Sequence, residues 1–395
     1  MKPVLKNSLK IPYGTRDFLP LEAACKRSIE SSLMNLFTKW GYDEIVTPSI
    51  EYLDTLTIGN GQAIEPHMFK FFDRQNRTLA LRHEMTTPIA RVVASRMRDA
   101  VRPLKFSYIS NVYRYEQAQA GRQCEFYQAG VEFMGPSTAE ADAEIIALAI
   151  EGLKQSGLKN FEVCLGQVEF INGLMGEFHF SAETQLSIRE ALERRNLVKL
   201  QEIVEKTQLP ESSKKILASL PLLHGDKQIL KKAWDIACNE QSRRALDNLS
   251  AIYQLLESYG VAEFVKFDLG VIRDFDYYTG MVFEIYTPEL GFPLCGGGRY
   301  DRMLSDFGAA CPSTGFALGI ERIMLAVERE GASPETLKKD CFVAYAPGKI
   351  KAAIESAQKK RDGDMVVELA PSAMTKEEAE AYQKEKKYTS LLYVE

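Results

Sequence analysis

Paired cysteines, clustered histidines, long apolar runs and an excess of positive charge are all missing from this sequence. Seven cysteines are scattered from Cys25 to Cys341 without one C-x-x-C spacing. That speaks against a zinc ribbon or a disulfide framework and fits a reducing, cytoplasmic setting. The four histidines, His67, His83, His179 and His224, lie too far apart for metal-ligand spacing. Apolar stretches such as Ile145 to Ile150 fall far short of the ~20 residues of a membrane span, and Met1 to Lys10 lacks the apolar core of a secretion signal. With 49 basic and 54 acidic residues the formal charge is −5, a poor balance for a chain whose main task is to hold a polyanion. Neither a G-x-x-x-x-G-K loop nor a G-x-S-x-G elbow occurs.

What remains is an ordinary globular composition, 45% hydrophobic and 26% charged over 395 residues. Apolar spacing predicts a long helix opened by Pro20, with Ile29, Leu33, Leu36, Phe37 and Trp40 on one face and Gly41 as its stop. It feeds a short strand, Tyr42 to Val46, ended by Thr47-Pro48 at an edge or interface. Strand-like runs at Phe69–Phe72, Thr78–Leu81, Phe106–Tyr115 and Glu125–Phe133, with a helix from about Thr87 to Met97, predict an antiparallel sheet. Ser137 followed by Glu140 reads as a capping box for a second long helix. After a strand at Phe161–Val168, residues 170–260 are helix-patterned, with a break at Pro210, and form a helical insertion. Strands return at Val265–Val271 and Val282–Tyr286, followed by a Gly296-Gly297-Gly298 loop and a strand-to-helix passage from Gly315 to Val327. The expected fold class is α/β of the α+β kind: a core over 1–327, a linker over 328–340 and a small α/β domain over 341–395. Those last residues alternate strand and helix with no net charge and offer little for a core of their own.

Arginine, glutamate and tyrosine concentrate in the strand-like runs. Period-two alternation puts Arg82 and Glu84 on one face, Arg114 and Glu116 on another, and Phe126, Gln128, Gly130 and Glu132 together on a third. A hairpin of the last two runs would make a polar floor. Its arginines suit a carboxylate or phosphate, its glutamates an ammonium or ring N–H, and Phe126 a flat ring. Such a floor fits a small zwitterion beside a phosphorylated ligand. Taken singly, an R-x-E pair is a cross-strand ion pair, Tyr277-Tyr278 is packing, and the glycine triplet is a turn or a close backbone approach.

Taken in order, the clusters resemble the motifs of class II aminoacyl-tRNA synthetases, of the histidyl branch, over about residues 11 to 327. Gly41–Pro48 resembles motif 1, a dimer element in that family; Tyr113–Glu132 resembles motif 2; Gly315–Arg322 resembles motif 3. Arg273–Gly280 and Gly296–Asp301 resemble the two signature peptides of the histidyl enzymes. The resemblance implies a class II synthetase core and a histidine site at Glu84, Thr86, Gln128, Glu132, Arg273, Tyr277 and Tyr278. Arg114, on the phosphate side in the synthetases, joins the histidine-binding set here. A residual ATP site would hold Glu116, Arg122, Phe126 and Arg322.

Departures from the synthetase pattern narrow the implication. The motif 2 loop of active enzymes usually reads Gly-Arg-x-Arg, and here the second arginine is Cys124, which supplies neither fixed charge nor a fork of donors. Leu-Arg-Pro-Glu-Gly-Thr is replaced by Leu81-Arg82-His83-Glu84-Met85-Thr86, and the continuation through Pro88-Ile89-Ala90-Arg91 resembles the paralogue that regulates the short-form ATP phosphoribosyltransferase. The neutral tail is shorter than an anticodon-binding domain and makes a poor tRNA reader. The implied role is non-catalytic: a regulatory subunit that activates the short catalytic subunit in the first step of histidine biosynthesis and senses L-histidine for feedback. It would be a homodimer within a hetero-oligomer, with no tRNA, membrane, metal or cofactor. An active histidyl-tRNA synthetase with a reduced tail is the alternative, and a stand-alone histidine- or ATP-dependent enzyme a third.

Overall fold

The computed structural model describes residues 9–58, 62–115, 123–178, 180–270, 278–331 and 337–395. Helix α1 (Pro20–Lys39) buries Ile29, Leu33, Leu36 and Phe37, and Gly41 turns the chain at φ +80°. Strand β1 is only Asp43–Glu44, pairing in parallel at the sheet edge with β5 (Leu104–Tyr113). Between them come β2 (Ile50–Tyr52), α2 (Leu53–Thr57), β3 (Lys70–Phe72), β4 (Thr78–Leu81) and α3 (Thr86–Arg96). Strands β2, β4 and β3 form a separate three-stranded antiparallel sheet and do not join the main one.

From β5 the chain returns as β6 (Glu125–Met134), paired over ten residues from Leu104↔Met134 to Tyr113↔Glu125. Helix α4 (Ala139–Gln155) follows, and its N-cap is Thr138, whose side chain accepts from Ala141 N. The cap thus falls one residue after the Ser137 expected from the capping-box pattern. Strand β7 (Glu162–Gln167) leads into α5 (Val168–Glu177), α6 (Ala182–Glu193), α7 (Leu197–Lys206), α8 (Glu211–Ser219), β8 (His224–Gly225), α9 (Gln228–Ile236) and α10 (Glu240–Ser258). The expected break falls at Pro210, the N-cap of α8. Buried Ile188, Leu200, Leu217 and Leu249 of these helices belong to the same hydrophobic core as Leu33 of α1 and Ile146 of α4.

Strands β9 (Val265–Asp268), β10 (Met281–Tyr286), β11 (Cys295–Arg299) and β12 (Ser313–Gly319) complete a nine-stranded sheet, with α11 (Met303–Asp306) before β12 and α12 (Ile320–Arg329) after it. The strand order is β1-β5-β6-β12-β11-β10-β7-β9-β8. The run from β5 to β7 is antiparallel as expected, while β1 on β5 and β7 on β9 are parallel, so the sheet is mixed. The two faces of β6 differ. Ala129, Val131 and Phe133 pack into the core with α1 and α4, while Phe126, Gln128, Gly130 and Glu132 face the other side.

The glycine triplet is strand β11, not the loop its composition predicts. Sterics explain the choice of residue. A Cβ on Gly297 would lie 2.5 Å from Gly315 O and 2.6 Å from the Phe283 ring, and one on Gly298 would lie 2.7 Å from the Tyr278 ring. Glycine here permits close packing between strands; no turn is involved.

By its contacts the chain divides into two compact units, Cys25–Ser333 with the residues up to Asp17, and Pro334–Glu395 with Phe18–Ala24. The second holds β13 (Cys341–Tyr345), α13 (Ile350–Arg361), β14 (Val367–Leu369), α14 (Lys376–Glu385) and β15 (Ser390–Val394). Its parallel sheet, in the order β14-β13-β15, encloses a small core that includes Phe342, Val343, Ala353, Ala357 and Ala379. Among the described residues no helix is long and apolar enough to cross a membrane.

Gly297→Ala should destabilise the protein by ~1–3 kcal/mol, because neither a backbone carbonyl nor a buried ring can yield cheaply. Gly176→Ala, in a helix where nothing lies within 4 Å of the added carbon, should be neutral or stabilising by up to ~1 kcal/mol. Urea denaturation of both variants checks the contrast.

Candidate functional site

Strand β4 ends at Leu81, so residues 82–85 form a bridge to α3, and the alternation expected of Arg82 and Glu84 is lost there. The two side chains take separate partners. Arg82 turns to Asn111 and Thr47. Glu84 turns back onto the start of α3, where its carboxylate accepts from Thr86 N and, at 2.9 Å, from Thr87 N. Placing a carboxylate at the first turn satisfies two otherwise orphaned N–H groups and faces the positive end of the helix dipole. The same Thr86 donates its hydroxyl to Glu132 Oε1 at 2.7 Å.

Glu132 is 2% exposed. Its second oxygen accepts from the Tyr300 hydroxyl. Burial pushes this carboxyl up to about 8; the bonds from Tyr300 and Thr86 pull it down and the neighbouring Glu84 adds to the rise. Fit around it is close: a Cβ on Gly315 would sit 2.4 Å from Glu132 Oε2, and one on Gly130 would sit 2.4 Å from the Tyr108 hydroxyl. Tyr108 is itself driven upward by burial and then by Glu132. Tyr300 is held in place through its neighbour, because Arg299 donates to both oxygens of buried Asp142 and, at 3.0 Å, to Asp301.

These groups border a cavity of about 120 Å³, several times the space one water requires. Gln128 contributes an amide whose Oε1 is buried and meets no donor among the described residues. Arg114, which donates Nε to His83 O at 3.0 Å and lies over the Phe126 ring at 5.4 Å, brings one guanidinium. Arg322, donating Nη1 to Pro293 O at 2.6 Å and lying over Phe292 at 5.2 Å, brings another. Next to Arg322, Glu321 accepts from Tyr127 N with both oxygens at 3.0 Å, which continues the β6 ladder past the end of β12 and steadies Phe126 and Gln128 on either side.

Of the residues singled out from sequence, Glu84, Thr86, Arg114, Phe126, Gln128, Glu132, Tyr278 and Arg322 line this one cavity. Glu116, Arg122, Arg273 and Tyr277 lie outside the described residues. Tyr108 and Tyr300 line the cavity too and were missed as site residues. Tyr300 sits within the Gly296–Asp301 signature peptide, and that was its available signal. Cys124 does not line the cavity. It is buried against the N-terminal segment, where its N–H donates to Gly14 O at 2.7 Å and its sulfur leaves no room for a Cβ on Gly14.

Two buried carboxyls that share Thr86 as donor, Glu84 through its N–H and Glu132 through its hydroxyl, together with an unmet amide acceptor, two guanidiniums and aromatic walls, suit a small molecule that carries ammonium or N–H donors and a negative group. Among the described residues no cluster of histidine, cysteine and carboxylates could hold a metal ion.

The sequence matches the histidyl-tRNA synthetase family model over residues 14–323. It is 42% identical over 373 residues to an ATP phosphoribosyltransferase regulatory subunit of Moorella thermoacetica, covering 94% of this chain and 95% of that protein. The chain belongs to the family of ATP phosphoribosyltransferase regulatory subunits. Another such relative, from Desulforamulus reducens, is 42% identical over 375 residues, 94% of this chain and 93% of the other. A solved structure described as an ATP phosphoribosyltransferase regulatory subunit/histidyl-tRNA synthetase, from Bacillus halodurans, superposes with a TM-score of 0.89 at 36% identity over 100% of both chains. The expected class II, histidyl-type fold is therefore correct, and the protein is a regulatory subunit, not the catalyst, of an enzyme complex.

The Glu132 carboxyl gives this regulatory subunit a pH signature. Its folded-state value, about 8, lies above the ordinary 4.5, so the folded chain keeps a proton that the unfolded chain gives up. Stability from this group is complete below about pH 4.5 and is lost as pH rises through about 8. Glu132→Gln removes that titration. The melting temperature of the variant relative to the parent should therefore rise between pH 5 and pH 9; a constant difference would mean that Glu132 does not hold its proton.

Proposed function

We propose that this regulatory subunit senses L-histidine in the cavity between β6 and the start of α3, and so sets the activity of a short-form ATP phosphoribosyltransferase catalytic subunit in the cytoplasm. The observation that carries this reading is the Glu84–Thr86–Glu132 constellation beside the unmet Gln128 acceptor. Histidine's ammonium and imidazole N–H supply the donor that Gln128 Oε1 lacks and further donors for the two carboxyls, and its carboxylate suits Arg114. Tyr278 and Phe126 supply flat surface for the ring. Arg273 and Tyr277 belong to the same proposed site by sequence. Feedback then requires histidine to bind the inhibited and active forms of the complex with unequal affinity.

Cys124 favours sensing over tRNA charging. A cysteine packed on Gly14 offers no guanidinium fork to a phosphate or a tRNA end. The retained Arg114 and Arg322 in the cavity favour the second reading, an active histidyl-tRNA synthetase. We further propose a homodimer inside the hetero-oligomer, formed through one face of the small sheet. The pairings Ile50↔Leu81, Tyr52↔Leu79 and Phe71↔Leu79 put five apolar side chains on that face. Ile50 and Tyr52 are 47% and 42% exposed, and Val46 nearby in the chain is 78% exposed. A second copy would cover these self-complementary apolar groups.

Calorimetry should show L-histidine binding to the purified chain, with Glu132→Ala weakening it by ~10–100-fold, the loss expected for one charge-assisted hydrogen bond. Binding at pH 7 should release a proton, seen as a heat that varies with the ionisation enthalpy of the buffer, because a cation beside Glu132 favours its ionised form. In tRNA-charging assays at high enzyme concentration both the parent and Cys124→Arg should be blank. Histidine charging by the parent would establish the synthetase reading instead.

A further inference from the structure

Arg82 is an unusual buried cation. It is 3% exposed, and among the described residues none of the groups its guanidinium hydrogen-bonds is a carboxylate. Nη1 donates to Thr47 O at 2.8 Å, Nε to Asn111 O at 2.9 Å and Nη2 to Asn111 Oδ1 at 3.1 Å. Its backbone joins the same two segments, donating to Ser49 O at 3.0 Å and accepting from Tyr113 N at 2.9 Å. Burying a guanidinium that bonds directly to no carboxylate is costly: desolvation holds Arg82 below its ordinary value, and the nearby Tyr113 and Glu51 oppose that shift only in part. What the guanidinium supplies is geometry: five donors in a rigid plane that fix residues 47–48, strand β5 and the chain leading to Glu84 as one body.

The segments clamped together have different duties. Residues 47–50 lead directly into the apolar face of the small sheet, where Ile50 pairs with Leu81. Two and four residues beyond Arg82 stand Glu84 and Thr86, the groups that cap α3 and reach Glu132. A second tie runs in parallel, from Glu51 on the buried face of β2 to Arg91 on α3 at 2.7 Å. Residues 47–50 are therefore linked to the cavity by the hydrogen bonds of Arg82, the two-residue step of chain from Arg82 to Glu84, and the Glu51–Arg91 pair.

We propose that Arg82 is a positioning residue that couples association of two copies through the small-sheet face to ligand binding at Glu84 and Thr86. The inference rests on the histidine-sensing and small-sheet dimer readings above. Association fixes residues 47–50, Arg82 transmits that order to the bridge at 82–85 and the start of α3, and the preorganised site binds its ligand more tightly. Linkage requires the reverse: histidine must strengthen the dimer by the same factor at each of its two sites, and so by the square of that factor at saturation.

The test is analytical ultracentrifugation of the full chain across a dilution series, with and without saturating L-histidine, alongside calorimetry of histidine binding. In the parent, histidine should lower the dimer dissociation constant at least fivefold. In Arg82→Lys, which keeps the charge but loses the planar fork, dimer and histidine binding should both persist while the histidine-dependent shift falls below twofold. Ile50→Glu, a change at an exposed position, should give monomers whose histidine affinity is lower than the parent dimer's by the square root of the dimer shift, since each dimer has two sites. Monomers of Ile50→Glu that bind histidine as tightly as the parent, or an undiminished shift in Arg82→Lys, would overturn the coupling and leave the sensor reading intact. A parent chain that binds no histidine would remove both.

Discussion

The site is organised by the need to keep one carboxyl group out of water. Glu132 has almost no solvent access, so it must be neutral or meet donors from several directions. Thr86 and Tyr300 are those donors, and each arrives from a different part of the chain, one at the start of a helix and one just past the end of a glycine strand. Gly315 is small because anything larger would strike the carboxyl. Arg299 and Asp142 form a buried pair because Tyr300 must stand where it does. The cost of burying one acid accounts for several otherwise unrelated residue choices.

Strand β6 connects that constraint to the rest of the fold. Ala129, Val131 and Phe133 anchor it in the core with α1 and α4, and Phe126, Gln128 and Glu132 form the cavity wall. A rigid apolar back permits an accurately placed polar front. The same platform can serve a catalyst or a sensor. A catalyst must stabilise charge that develops in a transition state, whereas a sensor needs only a ligand that distinguishes two states of its complex. Replacing a loop guanidinium by a packed thiol at Cys124 is consistent with the second, since the amino-acid wall is left untouched.

Much of this was legible in the sequence, for identifiable reasons. Period-two alternation in Glu125–Met134 located Phe126, Gln128 and Glu132 on one face because that strand is long and regular. Arg82 and Glu84 misled because their segment is no longer strand: capping α3 outcompetes the ladder once Thr86 and Thr87 need acceptors. The glycine triplet misled because glycine marks both turns and close approaches, and only the facing Phe283 and Tyr278 rings tell which. Tyr300 and Tyr108 were missed because a tyrosine's role depends on where its hydroxyl ends, which spacing does not encode. The small sheet was merged with the large one because short strands carry no label for their partners.

The meeting of Cys124 with Gly14 has a use beyond explaining a missing charge. A thiol sealed beneath a neighbouring backbone reacts with a labelling reagent only when that backbone lifts away, so its modification rate follows local opening and not global unfolding. The chain thus carries a built-in chemical clock at the mouth of β6, able to time how often the strand that leads to Gln128 and Glu132 loses its cover.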